Sequence, residues 1–305
     1  MSRKQPENGP RNGKGNPAQG PRPVRIAGIQ MDCRIGDIGG NLAAMERWAR
    51  EAAGQGANLL VYPECALSGY CFDDPAEARA LAQPVPGPAT EVLGNLCREL
   101  SIFAIFGLIE LEGGRLFNSL AFVGPEGLVA PSYRKIHLPF LGLDRFTTPG
   151  DRPFAVHDTP LGRIGLNTCY DAGFPESARV LALLGADLIV LPTNWPPEAE
   201  RFAEHGIATR AIENHVYYMA VDRVGEERGM QFIGRSRIVD PLGRILACAG
   251  ANREEIILAD MEPERARQKR VVRVPGKHIV DRINDRRPEF YGPIAAVPAP
   301  AAKPD

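Results

Sequence analysis

The chain has 305 residues, of which 44% are hydrophobic and 24% are charged, and its formal net charge is −1. That is enough apolar material for one large domain or two ordinary ones. A net charge near zero gives no general attraction to nucleic acid or membranes, and no apolar stretch reaches the roughly 18 residues that a membrane-spanning helix needs. We therefore expect neither a nucleic-acid partner nor a membrane segment.

The six cysteines are spread along the chain, match no zinc-binding spacing and form no CxxC pair. No stretch combines the basic start and apolar run of a secretory signal. We expect reduced thiols in a cytoplasmic protein, with no bound metal.

The two ends differ in composition from the rest. Residues 1–22 are nearly devoid of apolar side chains and rich in Gly, Pro and Asn, which predicts a disordered tail. Residues 294–305 predict a second, flexible tail. Residues 23–293 show no internal boundary and are predicted to form one domain. A basic run at 265–277 is interrupted by apolar residues, which favours a solvated helix face over a nucleic-acid site.

Between the tails, strand and helix patterns alternate. The first half predicts strands at 24–30, 58–64 and 102–110, helices at 41–53 and 90–100, and a hairpin over 116–135. The second half predicts strands at 163–169, 187–193, 216–224 and 254–261, helices at 176–184 and 198–214, and a hairpin around 240–243. Two strand–helix–strand runs, each followed by hairpins, predict an α/β fold with two inner sheets and outer helices, a four-layer α/β/β/α sandwich.

Cys169 stands where a short buried strand turns into a helix that begins near Pro175 and Glu176. A cysteine there has a backbone N–H just after it and a helix N-terminus nearby, and both can stabilise a thiolate or a developing oxyanion. Without further partners, a free cysteine is more often a small core residue.

Two charged residues interrupt apolar segments in the same way. Glu64, in LLVYPECALSGY, follows a buried strand, where α/β proteins place their sites. Lys135 ends a hairpin strand between Tyr133 and Ile136, with no polar alternation to explain it. In a combined site, Glu64 could take the thiol proton of Cys169, and Lys135 with the backbone N–H of Tyr170 could stabilise a tetrahedral intermediate.

These segments resemble the nitrilase superfamily of carbon–nitrogen hydrolases. The matches are YPECALSGY around Glu64, YRKIHLP around Lys135 and CYDAGFPE around Cys169, within a resemblance that covers about residues 24–261. The resemblance implies an α/β/β/α sandwich and a thioester acyl-enzyme. It implies Glu64 as general base, Lys135 as oxyanion stabiliser and Cys169 as nucleophile. It also implies no metal or cofactor, and homodimers that can build higher even-numbered oligomers.

One position departs from the family pattern. Many members carry a second glutamate shortly after the lysine, but the segment at 138–151 has none. Asp144 could take its place, or it could be a loop aspartate paired with Arg145 or Arg152. Tyr70, Tyr170, Asn194 and Trp195 lie in the motif loops and are predicted to bind substrate. For His137 we favour a structural role.

The same resemblance bears on the substrate. In family members that are amide hydrolases, the residue two positions after the nucleophile is commonly Asp, whereas in true nitrilases it is commonly Glu. In this chain that residue is Asp171. Carbamoylases often have two arginines after the nucleophile, where this chain has Ala172 and Gly173. We therefore expect hydrolysis of a small-molecule amide, with an N-carbamoyl compound or a nitrile as alternative substrates. A catalytically silent binding protein is the alternative of another class, against which the complete triad argues.

Overall fold

The computed structural model describes residues 23–296; the predicted N-terminal tail and residues 297–305 lie outside the described part of the chain. In chain order the strands are β1 (Val24–Gln30), β2 (Leu59–Val61), β3 (Phe103–Glu112), β4 (Arg115–Gly124), β5 (Gly127–Leu128), β6 (Tyr133–Arg134), β7 (Val156–Thr159), β8 (Gly162–Leu166), β9 (Leu188–Thr193), β10 (Tyr217–Asp222), β11 (Glu226–Glu227), β12 (Met230–Gln231), β13 (Arg237–Val239), β14 (Ile245–Cys248), β15 (Glu255–Met261), β16 (Val271–Val274) and β17 (His278–Val280). The helices are α1 (Ile38–Gly54), α2 (Pro75–Leu81), α3 (Pro88–Leu100), α4 (Pro175–Leu183), α5 (Ile207–Asn214) and α6 (Pro263–Arg267). Within residues 23–296, no helix combines the length and apolarity needed to cross a membrane.

Two large sheets form the centre of the protein. One has seven strands in the order β15-β1-β2-β3-β4-β5, with β6 also paired to β4, and the other has six in the order β14-β13-β10-β9-β8-β7. Three neighbouring strands in the middle of each sheet run parallel: β1, β2 and β3 in the first, and β8, β9 and β10 in the second. Their carboxyl ends therefore lie at one edge of each sheet.

The alternation of side chains along the strands creates three apolar layers. On β9, Leu188 and Val190 face the other sheet, whereas Ile189 and Leu191 face α4 and α5. The outer face of the first sheet packs against α1 and α3 in the same way. Two sheets back to back with helices on both outer faces confirm the predicted four-layer α/β/β/α sandwich.

The structure differs from the local predictions in several details. The helix predicted over 198–214 is present from 200 to 214, and within it Phe202–Gly206 form a π-helical turn that leads into Ile207–Asn214. The helix α2 and the hairpin β11–β12 were not predicted. The basic run is helical only to Arg267, and its second part is the strand β16, paired with β17. Three of the four residues of β16 are valine, whose branched side chain favours a strand over a helix.

Candidate active site

The three predicted catalytic residues follow strands of both sheets. Glu64 lies just after β2, Lys135 directly after β6, and Cys169 just after β8. Strands β2 and β6 belong to the first sheet and β8 to the second. The site therefore lies where the carboxyl edges of the two sheets meet, the usual place for a site in an α/β protein.

A tight turn holds Glu64 against β3. Cys65, the next residue, has a φ of 49°, in the left-handed region. The loop packs so closely on Gly107 that a Cβ there would lie 2.8 Å from the carbonyl carbon of Glu64 and 2.9 Å from its Cα. Only glycine at this position leaves room for the backbone that carries the carboxylate. The side chain of Cys65 packs in the core.

Cys169 also has a left-handed backbone, with a φ of 44°. This conformation costs a non-glycine residue on the order of 1–3 kcal/mol and persists only where the surroundings impose it. Cys169–Gly173 form a 3-10 turn that leads into α4, with Pro175 in the first turn of the helix. The residue is 8% exposed, so it is almost completely shielded from solvent.

Lys135 is held between two carboxylates. Its Nζ donates to Glu64 Oε1 at 2.8 Å and to Asp144 Oδ2 at 2.6 Å, and all three side chains are fully buried. The Tyr70 hydroxyl also donates to Asp144 Oδ2, at 2.8 Å. Asp144 therefore lies beside Lys135 and is not a loop aspartate paired with Arg145 or Arg152.

Asn118 is a residue that the sequence reasoning missed. From β4, its Nδ2 donates to Glu64 Oε1 at 2.7 Å and to Asp144 Oδ1 at 2.9 Å, so one amide group bridges both carboxylates. Its backbone carbonyl accepts a bond from the N–H of Lys135 at 2.8 Å. A polar Asn–Ser pair in the otherwise apolar run LFNSLAFV was the signal that could have identified it.

The surroundings of Cys169 favour the protonated form of its thiol. Burial raises the pKa of the Cys169 thiol, Glu64 raises it further, and Lys135 opposes both. Burial also raises the pKa of Glu64, against the attraction of Lys135. For Lys135, burial lowers the pKa, but Glu64, Cys169 and Asp144 together hold it well above its usual value. A thiol that is neutral at rest needs a base beside it when it attacks.

The predicted substrate-binding residues border Cys169 from several directions. The Thr193 hydroxyl and the backbone N–H of Asn194 lower the pKa of the thiol. The Asn194 side chain is 1% exposed, and neither of its polar atoms has a hydrogen-bond partner among the described residues. Trp195 is 5% exposed, and Tyr170 is 45% exposed. Tyr70 lies deeper, with its ring centroid 5.9 Å from Lys135 Nζ.

Within residues 23–296, no group of three or more His, Cys, Asp or Glu side chains has an arrangement that could hold a metal ion. His137, for which a structural role was favoured, bonds to Asp171 through its backbone N–H at 3.1 Å and its Nδ1 at 2.8 Å.

A family model, carbon-nitrogen hydrolase, matches residues 25–271. The chain belongs to the carbon–nitrogen hydrolase family. This carbon–nitrogen hydrolase is 39% identical over 269 residues to a nitrilase from Pyrococcus abyssi, a match that covers 88% of this chain and 99% of that protein. It is 34% identical over 257 residues to an omega-amidase from Homo sapiens, covering 78% and 88% of the two chains. The predicted family is thus confirmed.

Solved structures agree with the fold and with the place of the hydrolase in the family. An amidase from Nesterenkonia sp. AN1 superposes with a TM-score of 0.74 at 25% identity, covering 91% of this chain and 98% of that one. In that structure, a variant of the amidase carries the acetamide moiety of fluoroacetamide covalently bound to its active-site cysteine.

Proposed function

We propose that this chain hydrolyses the C–N bond of a small-molecule amide to a carboxylate and ammonia, through a thioester on Cys169. The observation that carries the proposal is a protonated, nearly buried thiol beside a buried carboxylate and a buried ammonium group. That set supplies the nucleophile, the base and the oxyanion donor of an acyl transfer.

In the acylation half-reaction, Sγ of Cys169 attacks the amide carbon as Glu64 takes its proton. The carbonyl oxygen becomes an oxyanion, which Lys135 Nζ and the backbone N–H of Tyr170 stabilise. Lys135 remains charged throughout, because its anionic neighbours hold its pKa high. Glu64 then returns the proton to the leaving nitrogen, the C–N bond breaks, and ammonia departs from a thioester.

In the deacylation half-reaction, Glu64 takes a proton from a water molecule, which attacks the thioester carbon. The same two donors stabilise the second tetrahedral intermediate. The C–S bond breaks and the sulfur regains a proton, so that the acid leaves and the resting enzyme returns.

Amides are favoured over nitriles because Glu64, once protonated, is placed to give its proton to a departing amine. The Nesterenkonia amidase also has solved complexes with acrylamide and butyramide, both short amides. A nitrile is the second candidate, and the 39% identity to a protein named nitrilase is the observation that favours it. Small residues at 172 and 173 provide no cationic clamp for an N-carbamoyl acid.

The near-complete burial of Cys169 supports a small acyl group. We further propose that Asn194, Trp195 and Tyr170 contact it, with Tyr70 behind Asp144. The unpartnered amide of Asn194 could supply a polar contact to the substrate.

The test is ammonia release from matched amide and nitrile pairs of short acyl chains. We expect kcat/KM to be at least about tenfold higher for the amide, which corresponds to 1.4 kcal/mol in the transition state. Cys169→Ala and Glu64→Gln should each lose at least a thousandfold, whereas Cys248→Ala, at an exposed cysteine, should not. Equal rates for amides and nitriles would contradict the substrate class, and residual turnover by Cys169→Ala would contradict the nucleophile.

The family resemblance also supports a homodimer, or a higher even-numbered oligomer. Val180 and Leu183 on helix α4, and Leu184 directly after it, are 38–45% exposed. A cavity of about 780 Å³ lies beside them, between α4 and the segment around Tyr291. A second copy of this chain would cover these apolar side chains. A cytoplasmic location is proposed because the nucleophile must stay reduced.

A further inference from the structure

The carboxylate of Asp171 joins the cysteine turn to the lysine segment. Its Oδ2 accepts bonds from the hydroxyl of Tyr133 at 2.6 Å and from the backbone N–H of Thr168 at 3.0 Å. Its Oδ1 accepts bonds from His137, through the backbone N–H at 3.1 Å and Nδ1 at 2.8 Å. Tyr133 and His137 stand two residues before and two residues after Lys135. One carboxylate therefore holds both sides of the lysine and the residue that precedes Cys169.

The contacts around Asp171 use all of its hydrogen-bonding capacity. It is fully buried, and both oxygens are occupied by donors. The His137 ring is stacked on Phe174, with ring centroids 3.8 Å apart, which closes the imidazole side. Burial and the Asp171 charge both raise the pKa of Tyr133, so its hydroxyl remains a donor. Asp171 thus has no free oxygen for a substrate or a proton transfer.

We infer that Asp171 is a positioning residue that fixes the distance between the Cys169 sulfur and the Lys135 ammonium group. This inference rests on the proposed function, because the distance matters only if the oxyanion formed at Cys169 is stabilised by Lys135. Stabilisation of an oxyanion depends on donors that are already in place, and an error of about 1 Å can cost about a hundredfold in rate. The effect should therefore fall on kcat rather than on KM.

An asparagine cannot replace this aspartate. Each carboxylate oxygen accepts from a backbone N–H, of His137 on one side and of Thr168 on the other. Backbone N–H groups cannot turn around to accept, so the amide introduced by Asp171→Asn would place its NH₂ group against a donor in either orientation. The substitution keeps the size of the side chain and breaks the link.

The experiment is a double-mutant cycle of Tyr133→Phe and Asp171→Asn, with kcat and KM measured on the amide that the wild type hydrolyses best. We expect Tyr133→Phe to lower kcat about tenfold and Asp171→Asn about a hundredfold, with KM changed less than about threefold. The double variant should be no slower than Asp171→Asn alone, because both changes break one link. Tyr217→Phe is the matched control, since its buried hydroxyl accepts a 3.3 Å bond from the Glu262 N–H and Tyr217 begins β10, at the far end of the strand from the site.

The second readout is the rate at which iodoacetamide alkylates Cys169, followed by mass spectrometry in a Cys248→Ser background. It requires no hydrolysis, so it separates the two proposals. If the wild type releases no ammonia from any amide but Asp171→Asn still slows alkylation, the proposed function fails and the positioning role stands. Additive losses in the cycle, a change confined to KM, or equal kcat values for Tyr133→Phe and Tyr217→Phe would overturn the inference. If Asp171→Asn does not fold, His137→Ala takes its place in the cycle, with the same outcomes.

Discussion

At the scale of single residues, Asn118 links the two carboxylates of the site. Both hydrogens of its amide are used, one on Glu64 and one on Asp144. Without them, two buried carboxylate oxygens lose a donor, and each such loss costs about 1–3 kcal/mol.

We therefore expect Asn118→Ala to lower both kcat/KM, by at least about tenfold, and the free energy of unfolding, measured by denaturant titration. Ser119→Ala is the control, because the neighbouring hydroxyl donates to Glu110 and not to the site. Asn118 would have no role in the site if the two variants had the same kcat/KM.

The pH dependence of the reaction belongs to the same scale. Burial raises the pKa of Glu64 above its usual 4.5, and the charge of Asp144 raises it further. A base must be deprotonated to act, so activity should fall as pH drops through this raised pKa.

Asp144→Asn removes the neighbouring negative charge, which should lower the pKa of Glu64. The acid limb of the kcat/KM profile should then move to lower pH, even though the maximum rate falls with the loss of a Lys135 partner. Asp151→Asn, which removes a partly exposed carboxylate paired with Arg134, should leave the limb in place. If the acid limb of Asp144→Asn moved to higher pH instead, the assignment of that limb to Glu64 would be wrong.

At the scale of elements, the sequence predicted what hydrophobic period and turn residues can specify. Both ends of strand β1 were predicted correctly, because its apolar run stops at polar Gln30 and Asp32. The place of Cys169 at a strand-to-helix turn followed from Pro175. The position of Asp144 beside Lys135 did not, because a loop aspartate can pair with any nearby arginine. Contacts across 71 residues, such as Lys135 with Glu64, became visible from the sequence only through the family resemblance.

The packing of β3 on the turn at Glu64 gives a prediction at this scale. Gly107→Ala would place a methyl group against backbone atoms of Glu64 and Cys65, which cannot rotate away. We expect a loss of about 1–3 kcal/mol in unfolding free energy together with a loss of activity.

Gly94→Ala, in the middle of α3, is the matched control. Nothing lies within 4 Å of a Cβ there, and alanine favours a helix by about 1 kcal/mol over glycine. The midpoint temperature of thermal unfolding should therefore rise slightly for Gly94→Ala and fall for Gly107→Ala. A neutral Gly107→Ala would mean that the turn can shift without cost.

At the scale of the whole molecule, the apolar face of α4 gives a prediction about assembly. Leu183→Glu places a charge where a second copy would bury it, and we expect light scattering at micromolar concentration to show the mass of a monomer. Val92→Glu, at a similarly exposed position on α3, should retain the mass of the wild type. A wild type that is itself monomeric would contradict the dimer.

The ammonium group of Lys135 between two carboxylates has one more consequence, for the charge of the protein interior. The three side chains, with Lys135 positive and Glu64 and Asp144 negative, carry one net negative charge. In the proposed mechanism Glu64 takes the thiol proton, and that charge passes to sulfur and then to the substrate oxygen. It returns to the carboxylate when the C–N bond breaks. In this mechanism the site holds the same total charge at every step. The reaction would then move an existing charge over a few ångströms and would not create a new one away from water.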